Sequence, residues 1–409
     1  MRTRDVGLLF AMRTIRMAAY GGLAVVLALF LVELGLEPGA IGLLLALTLG
    51  GDAVISLYLT THADRFGRRP TLFIGAGLMI LGGVVFVLSG EFVVLLAAAI
   101  VAVLSPSGNE VGPFLPIEQA ALSEVVPGDR RTTVFAWYQL AGSLATAGGS
   151  LAAGVLVQVL VDGGSPAVDA YRAVIVAYAV VGVAIAILAQ GLSPAVEPIA
   201  PVDDSIRRRL GLHRSQRVVA ELSSLFALDA FGGGFVVQSI VALWFGLRWD
   251  VEPALLGGIF FGANVLAGFS GLVAARLAAR FGLIETMVAT HIPSNVLLIL
   301  VPLMPTLPLA IGVLLARFAI SQMDVPTRQS YTMSVVDPDE RSAAAGITGM
   351  ARSAGAAVAP AIATPLVAAP ILLGGLPFVI AGTLKIAYDL LLWRRFRSQR
   401  PAEEPLAHG

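Results

Sequence analysis

Residues 37–67, EPGAIGLLLALTLGGDAVISLYLTTHADRFG, recur in outline 215 positions later as residues 252–282, EPALLGGIFFGANVLAGFSGLVAARLAARFG. Glu37-Pro38 falls on Glu252-Pro253, Gly42 on Gly257, and Arg65-Phe66-Gly67 on Arg280-Phe281-Gly282. A second register of 210 carries Pro116 onto Pro326, Gln119 onto Gln329 and Val125-Val126 onto Val335-Val336. Chance could supply one such match, but not both sets in order, so the chain reads as an internal duplication. Each copy of the quoted stretch is long and apolar enough for one crossing of a bilayer, which needs roughly 20 residues.

The rest of the chain repeats that block pattern. Of 409 residues, 57% are hydrophobic and 13% charged, with a mean hydropathy of +0.86. A water-soluble domain carries roughly 25% charged residues, so lipid is the expected solvent. Gly, Pro and charge breaks mark spans near 16–35, 39–62, 71–89, 92–125, 132–160 and 171–192. A second set follows near 221–247, 254–279, 283–304, 308–336, 342–369 and 372–393. The fold class expected is all-α: twelve transmembrane helices as two pseudo-symmetric six-helix bundles, residues 1–192 and 221–393. A linker at 193–220 and a tail at 394–409 complete the chain. The fourth, fifth and tenth spans exceed the hydrocarbon thickness and should tilt or bend; Pro106, Pro113 and Pro116 give the fourth its bending points.

Arginine placement orients the chain. Arg2, Arg4, Arg65, Arg68, Arg69, Arg207 to Arg209 and Arg394 to Arg397 share one side if both termini and the linker are cytoplasmic. The basic amino-terminal segment lacks a small-residue cleavage site and reads as the first span. Lys385 is the only lysine, an arginine bias that suggests a GC-rich bacterial genome and hence an inner membrane. Within the linker, Ile206 and Leu210 at helical spacing would let it lie on anionic lipid.

Between the second and third spans stands DRFGRR, Asp64 to Arg69. Gly67 permits a tight turn, and the arginines hold the loop inside. The run resembles the signature loop of the major facilitator superfamily, with Thr60 where that family usually has glycine, and ARFG (Ala279 to Gly282) is its degraded second copy. The resemblance implies a transporter with its substrate site between the halves, lined by spans 1, 4, 7 and 10. It also implies a cytoplasmic gate formed by Asp64, Arg65, Gly67, Arg68 and Arg69. Asp64 would brace the start of span 11 near Arg341 and Ser342, while Arg68 and Arg69 could pair with Glu124. The antiporter hallmark of span 5 is weakened, because Ser150 stands where those relatives carry proline in GSLATAGGSLAAG (Gly142 to Gly154). Its glycines allow close helix approach.

Ionisable residues inside spans are costly and mark function or internal pairing. Span 10 places Arg317, Ser321, Asp324 and Arg328 on one stripe; span 4 places Glu110, Phe114 and Glu118 on another. The 210 register sets Glu118 against Arg328. Glu118, Arg317, Arg328 and Arg352 are candidate substrate-cavity residues. Glu110, Asp229, Asp324 and Asp52 are candidates for proton coupling. Glu110 leads because its own helix supplies no basic neighbour, and Asp229 follows; Asp324 should stay ionised beside Arg328. Structural bridges are the rival reading: Asp324 with Arg328, Glu118 with Arg130 or Arg131, Lys385 with Asp389.

No phosphate-binding loop, nucleophile triad or dinucleotide loop is present, so neither an ATP-driven pump nor an enzyme is expected. Zero net charge argues against a nucleic-acid partner, and absent cysteines with four scattered histidines leave no metal site. No cofactor is expected; the partners are a small-molecule substrate, lipid and protons, and the working unit a monomer. The first reading is a proton-coupled exporter of small organic compounds working by alternating access. An importer or facilitator of a nutrient or organic anion, and a non-transporting membrane sensor or scaffold, are the alternatives.

Overall fold

The computed structural model describes residues 3–197, 214–337 and 340–397. Apolar residues with few breakers form the helices, and proline and glycine set their ends. In chain order the first half gives α1 (Thr3–Glu33), α2 (Pro38–Phe66), α3 (Arg68–Leu88), α4 (Phe92–Val101), α5 (Phe114–Val125), α6 (Gly128–Asp162) and α7 (Ala167–Gln190). The second half gives α8 (Gln216–Gly234), α9 (Gln238–Trp249), α10 (Pro253–Phe281), α11 (Leu283–Leu300) and α12 (Leu307–Phe318). It ends with α13 (Asp324–Ser334), α14 (Arg341–Val367), α15 (Ile371–Gly374) and α16 (Leu376–Phe396). The duplication read from the sequence is written in these boundaries. Both ends of α2 fall on both ends of α10 at a shift of 215, and α5 starts 210 residues before α13. Pro38 and Pro253 open their helices, where a missing N–H costs nothing. Gly67 and Gly282 then turn the chain at φ +96° and +93°, a region favourable only to glycine.

Among the described residues, ten helical stretches are long and apolar enough to cross a membrane, by length and composition. The fourth and tenth expected spans start instead as short apolar helices, Phe92–Val101 and Leu307–Phe318, and resume after a break as α5 and α13. The structure thus corrects a bent fourth span to an unwound one at residues 102–113. Pro106 and Pro113 withhold backbone donors there, and Gly108 and Gly112 adopt φ +68° and +78°. Large apolar side chains face outward: Leu88 is 80% exposed and Val93 75%, while Arg13 and Arg16 lie inside.

Compactness divides the chain into two units, Met1–Val202 with Val237–Gly262, and Asp203–Val236 with Ala263–Gly409. In the first unit α1 crosses α6 closely, because a Cβ on Gly21 would collide with Thr146 O and one on Gly149 with Ala18 O. Residues 237–262 join this unit through backbone contact. Ser239 Oγ donates to Ala24 O and Pro106 O, both at 2.8 Å. Gly154 and Gly257 also meet with no room for a side chain. In the second unit α8 crosses α14 by the same device, Gly234 against Ala356 O and Gly355 against Ala227 O. Phe226, Met287, Tyr331, Tyr388 and Phe396 close one end of it in an apolar cluster.

Candidate functional site

Unwinding a span exposes backbone groups that lipid cannot satisfy. The first unit supplies their partners from side chains. Gly112 N–H donates to Asp52 Oδ1 at 2.7 Å, Tyr20 OH to Val111 O at 3.2 Å, and Ser105 Oγ to Asn109 O at 2.7 Å. Tyr178 OH donates to Val103 O, and Pro106 O receives Ser239. Asp52 is the central residue of α2, so the unwound stretch is held near the middle of a span.

That stretch carries Glu110 into an ion-pair network. Arg13 NH1 donates to Glu110 Oε2 at 2.8 Å and Arg16 Nε to Glu110 Oε1 at 2.8 Å. Arg16 forms a two-pronged pair with Glu118, at 2.6 and 2.7 Å, and Tyr138 OH donates to the same carboxylate. Arg13 also donates to Tyr138 O at 2.9 Å and Gln139 Oε1 at 2.7 Å. Phe114 lies 4.6 Å beneath the Arg16 guanidinium. Gly142 leaves the space that the Arg13 guanidinium fills.

The second unit holds a larger network centred on Asp229 of α8. Lys385 Nζ donates to Asp229 Oδ1 at 2.6 Å, while Arg328 and Arg352 reach Oδ2 at 3.3 Å each. Arg328 also binds Asp324 at 2.8 Å. His291 lies between two carboxylates, Nδ1 2.9 Å from Asp389 and Nε2 3.8 Å from Asp229. The Gly232–Gly234 run of α8 makes way for the Lys385 chain, since a Cβ on Gly232 would press on Lys385 Cγ. Among the described residues the Arg317 side chain forms no hydrogen bond and no ion pair; its Nε is buried without an acceptor. Read across the duplication, span 1 cations meet span 4 acids, and a span 7 acid meets a span 10 cation. The sign is inverted.

The Major Facilitator Superfamily profile matches residues 9–360. The chain belongs to the major facilitator superfamily. An uncharacterized membrane protein of Saccharomyces cerevisiae is 31% identical over 420 residues, covering 95% of this chain and 93% of that one. Of solved facilitator structures, a D-xylose–proton symporter superposes with a TM-score of 0.73 at 14% identity, covering 95% of this chain and 97% of its own. The nucleoside transporter NupG gives 0.74 at 11% identity, covering 96% and 99%. At these identities the likeness is one of fold. The chain is therefore a multi-pass membrane protein with the fold of a transporter.

Within the described residues the charges selected from the sequence can be placed one by one. Glu110, which has no basic neighbour in its own span, and Asp229 each hold at least two cations from other helices. Asp324 keeps its i, i+4 bridge to Arg328. Glu118 pairs with Arg16, not with Arg130 or Arg131. Lys385 and Asp389 turn to Asp229 and His291 instead of each other. Asp52 has no cation or histidine within 4.0 Å among the described residues; it accepts from Gly112 and, at 3.4 Å, from Ser56. In the signature loop Arg68 reaches Glu124 at 3.6 Å and Val196 O at 2.9 Å, and Arg69 reaches Gln190 O. Glu197 accepts both backbone N–H groups that open α3, at 2.7 and 3.1 Å. The side chains of Asp64, Arg65 and Ser342 lie outside the described residues, as do linker residues 198–213 with Ile206 and Leu210, and tail residues 398–409. Arg13, Arg16 and His291 are the members that sequence reasoning missed. A first span begun at residue 16 left the two arginines at its polar edge, whereas α1 begins at Thr3. Their i, i+3 spacing was the available signal.

Proposed function

We propose that this protein is a proton-coupled secondary transporter of a small organic solute, working by alternating access, with Asp52 as the proton-exchanging carboxylate. The observation that carries this is the solitude of Asp52. Every other carboxylate placed mid-span among the described residues holds a cation or a histidine. A carboxylate without such a partner can gain and lose a proton without breaking an ion pair. The groups facing it are the Gly112 N–H and Glu110 on the unwound stretch, Tyr20 of α1 and Tyr178 of α7. Protonation would weaken the bond that Gly112 donates to a charged acceptor. The unwound stretch would then be freer to move, carrying Glu110 against Arg13 and Arg16 of α1. Proton exchange at α2 would in this way be felt in span 1.

Export by proton exchange is the proposed direction, with both termini on the cytoplasmic face of a bacterial inner membrane. The unpaired Arg317 favours an organic-anion carrier as the second reading. Proteoliposomes of fixed orientation, loaded with a pH dye and challenged with a solute panel, test both. Wild type should move protons with its solute, and Asp52→Asn should lose gradient-driven accumulation while keeping solute exchange. A wild type indifferent to the gradient makes the protein a facilitator; an Asp52→Asn variant with full gradient-driven flux removes Asp52.

A further inference from the structure

Along the middle of its spans the second unit places four cations against three carboxylates among the described residues; its other buried acid, Glu340 at the start of α14, accepts the Arg214 and Ser215 N–H groups. Arg317, Arg328, Arg352 and Lys385 stand against Asp229, Asp324 and Asp389, with His291 shared between two of those carboxylates. Uncompensated charge at mid-membrane is costly, and the excess is localised. Arg328 and Lys385 are committed to short contacts of 2.8 and 2.6 Å. Arg352 gives Asp229 one N–H at 3.3 Å and keeps 35% of its side chain exposed. The Arg317 side chain forms no hydrogen bond and no ion pair within 4.0 Å among the described residues. Like Arg352 it lies within electrostatic reach of Asp229 and Asp324, about 15 Å along the tenth span at 1.5 Å per residue. Its guanidinium rests 4.8 Å from the Phe318 ring, which leaves its edge donors available.

We propose that Arg317 and Arg352 form the recognition site for a small organic carboxylate, the cargo class of this transporter. A guanidinium offers paired N–H donors at the spacing of a carboxylate's two oxygens. An arriving anion would take the Arg317 fork and the free donors of Arg352, and would cancel the excess charge. Asp229 acts as the resting counter-ion: of its two 3.3 Å contacts, the one to the partly exposed Arg352 is the one that the cargo would displace. The reason is that Arg328 is also held by Asp324 at 2.8 Å, and Lys385 keeps its shorter pair with Asp229. The inference rests on the transporter reading but not on proton coupling.

The test is a thermal-shift and equilibrium-binding measurement on the full-length protein in detergent, with no gradient present. Benzoate, salicylate, lactate and citrate are compared with benzamide, benzyl alcohol and lactamide. At least one carboxylate should stabilise the protein, its uncharged counterpart should not, and Arg317→Gln should weaken binding by at least about tenfold, the scale of one charge-assisted contact. Arg317→Lys keeps the charge but not the fork, and should fall between. If Arg317→Gln misfolds, Arg352→Gln provides the same reading. The assignment fails if no carboxylate stabilises the protein, if the uncharged counterparts do so equally, or if the variants bind with unchanged affinity. A protein that passes here and ignores a pH gradient refutes proton coupling alone; one that is proton-coupled yet blind to carboxylates refutes this site alone.

Discussion

Arg13 and Arg16 sit inside the protein while Leu88 and Val93 face outward, an arrangement that a lipid solvent permits and water does not. Interior charge must then be neutralised by neighbours, and the first unit does so with Glu110 and Glu118 against two arginines. Removing one partner of such a buried set costs about 3–5 kcal/mol, because the remaining charge is stranded. Glu110→Gln should therefore lower the melting temperature in detergent and reduce gradient-driven flux and solute exchange together. Asp52→Asn should leave melting nearly unchanged, since an amide oxygen still accepts from Gly112. A Glu110→Gln protein with wild-type melting and a selective loss of gradient-driven flux would return the proton to Glu110. Glu110 shows the limit of reading one helix at a time. Its own span holds no base, and its two arginines come from a helix nearly a hundred residues earlier.

The helices are placed by glycine contacts whose partners are backbone atoms, and backbone cannot step aside. Gly149 meets Ala18 O, while Gly148, one residue earlier, has nothing within 4 Å of where its Cβ would be. Gly148→Leu should express and melt like wild type. Gly149→Leu should fail to accumulate as folded protein in detergent size-exclusion profiles. Equal behaviour of the two would show that the α1–α6 crossing does not hold the unit together. The run Gly142 to Gly154 was legible as a packing surface, and Ser150 within it donates to Gly21 O at 3.1 Å. The unwinding of span 4 was only half legible. Its prolines were visible, but glycines at positive φ and the remote side chains that satisfy the open backbone were not.

At the scale of the whole chain, the proposed orientation rests on the arginines. A reporter inserted in the linker near residue 205 should report the cytoplasmic side, and one between α1 and α2 the opposite side. A linker reporter on the outer side would invert the topology and with it the proposed direction of transport. The two units also differ from a single cut at the linker. Residues 237–262 join the first unit because Ser239 and Gly257 contact its backbone directly. Such contacts leave no mark in hydropathy.

The amino-acid sequence alone determined that the chain is helical, membrane-spanning and duplicated, and it named the family through one loop. Partition into lipid acts on each residue separately, and a duplication preserves spacing, so both are local properties of the sequence. Tertiary structure decided which charges are bound and which are left over. Arg16 meets Glu118 across a separation of 102 residues, and Lys385 meets Asp229 across 156. An ion pair depends on distances of a few ångströms, and those distances exist only once the helices have packed.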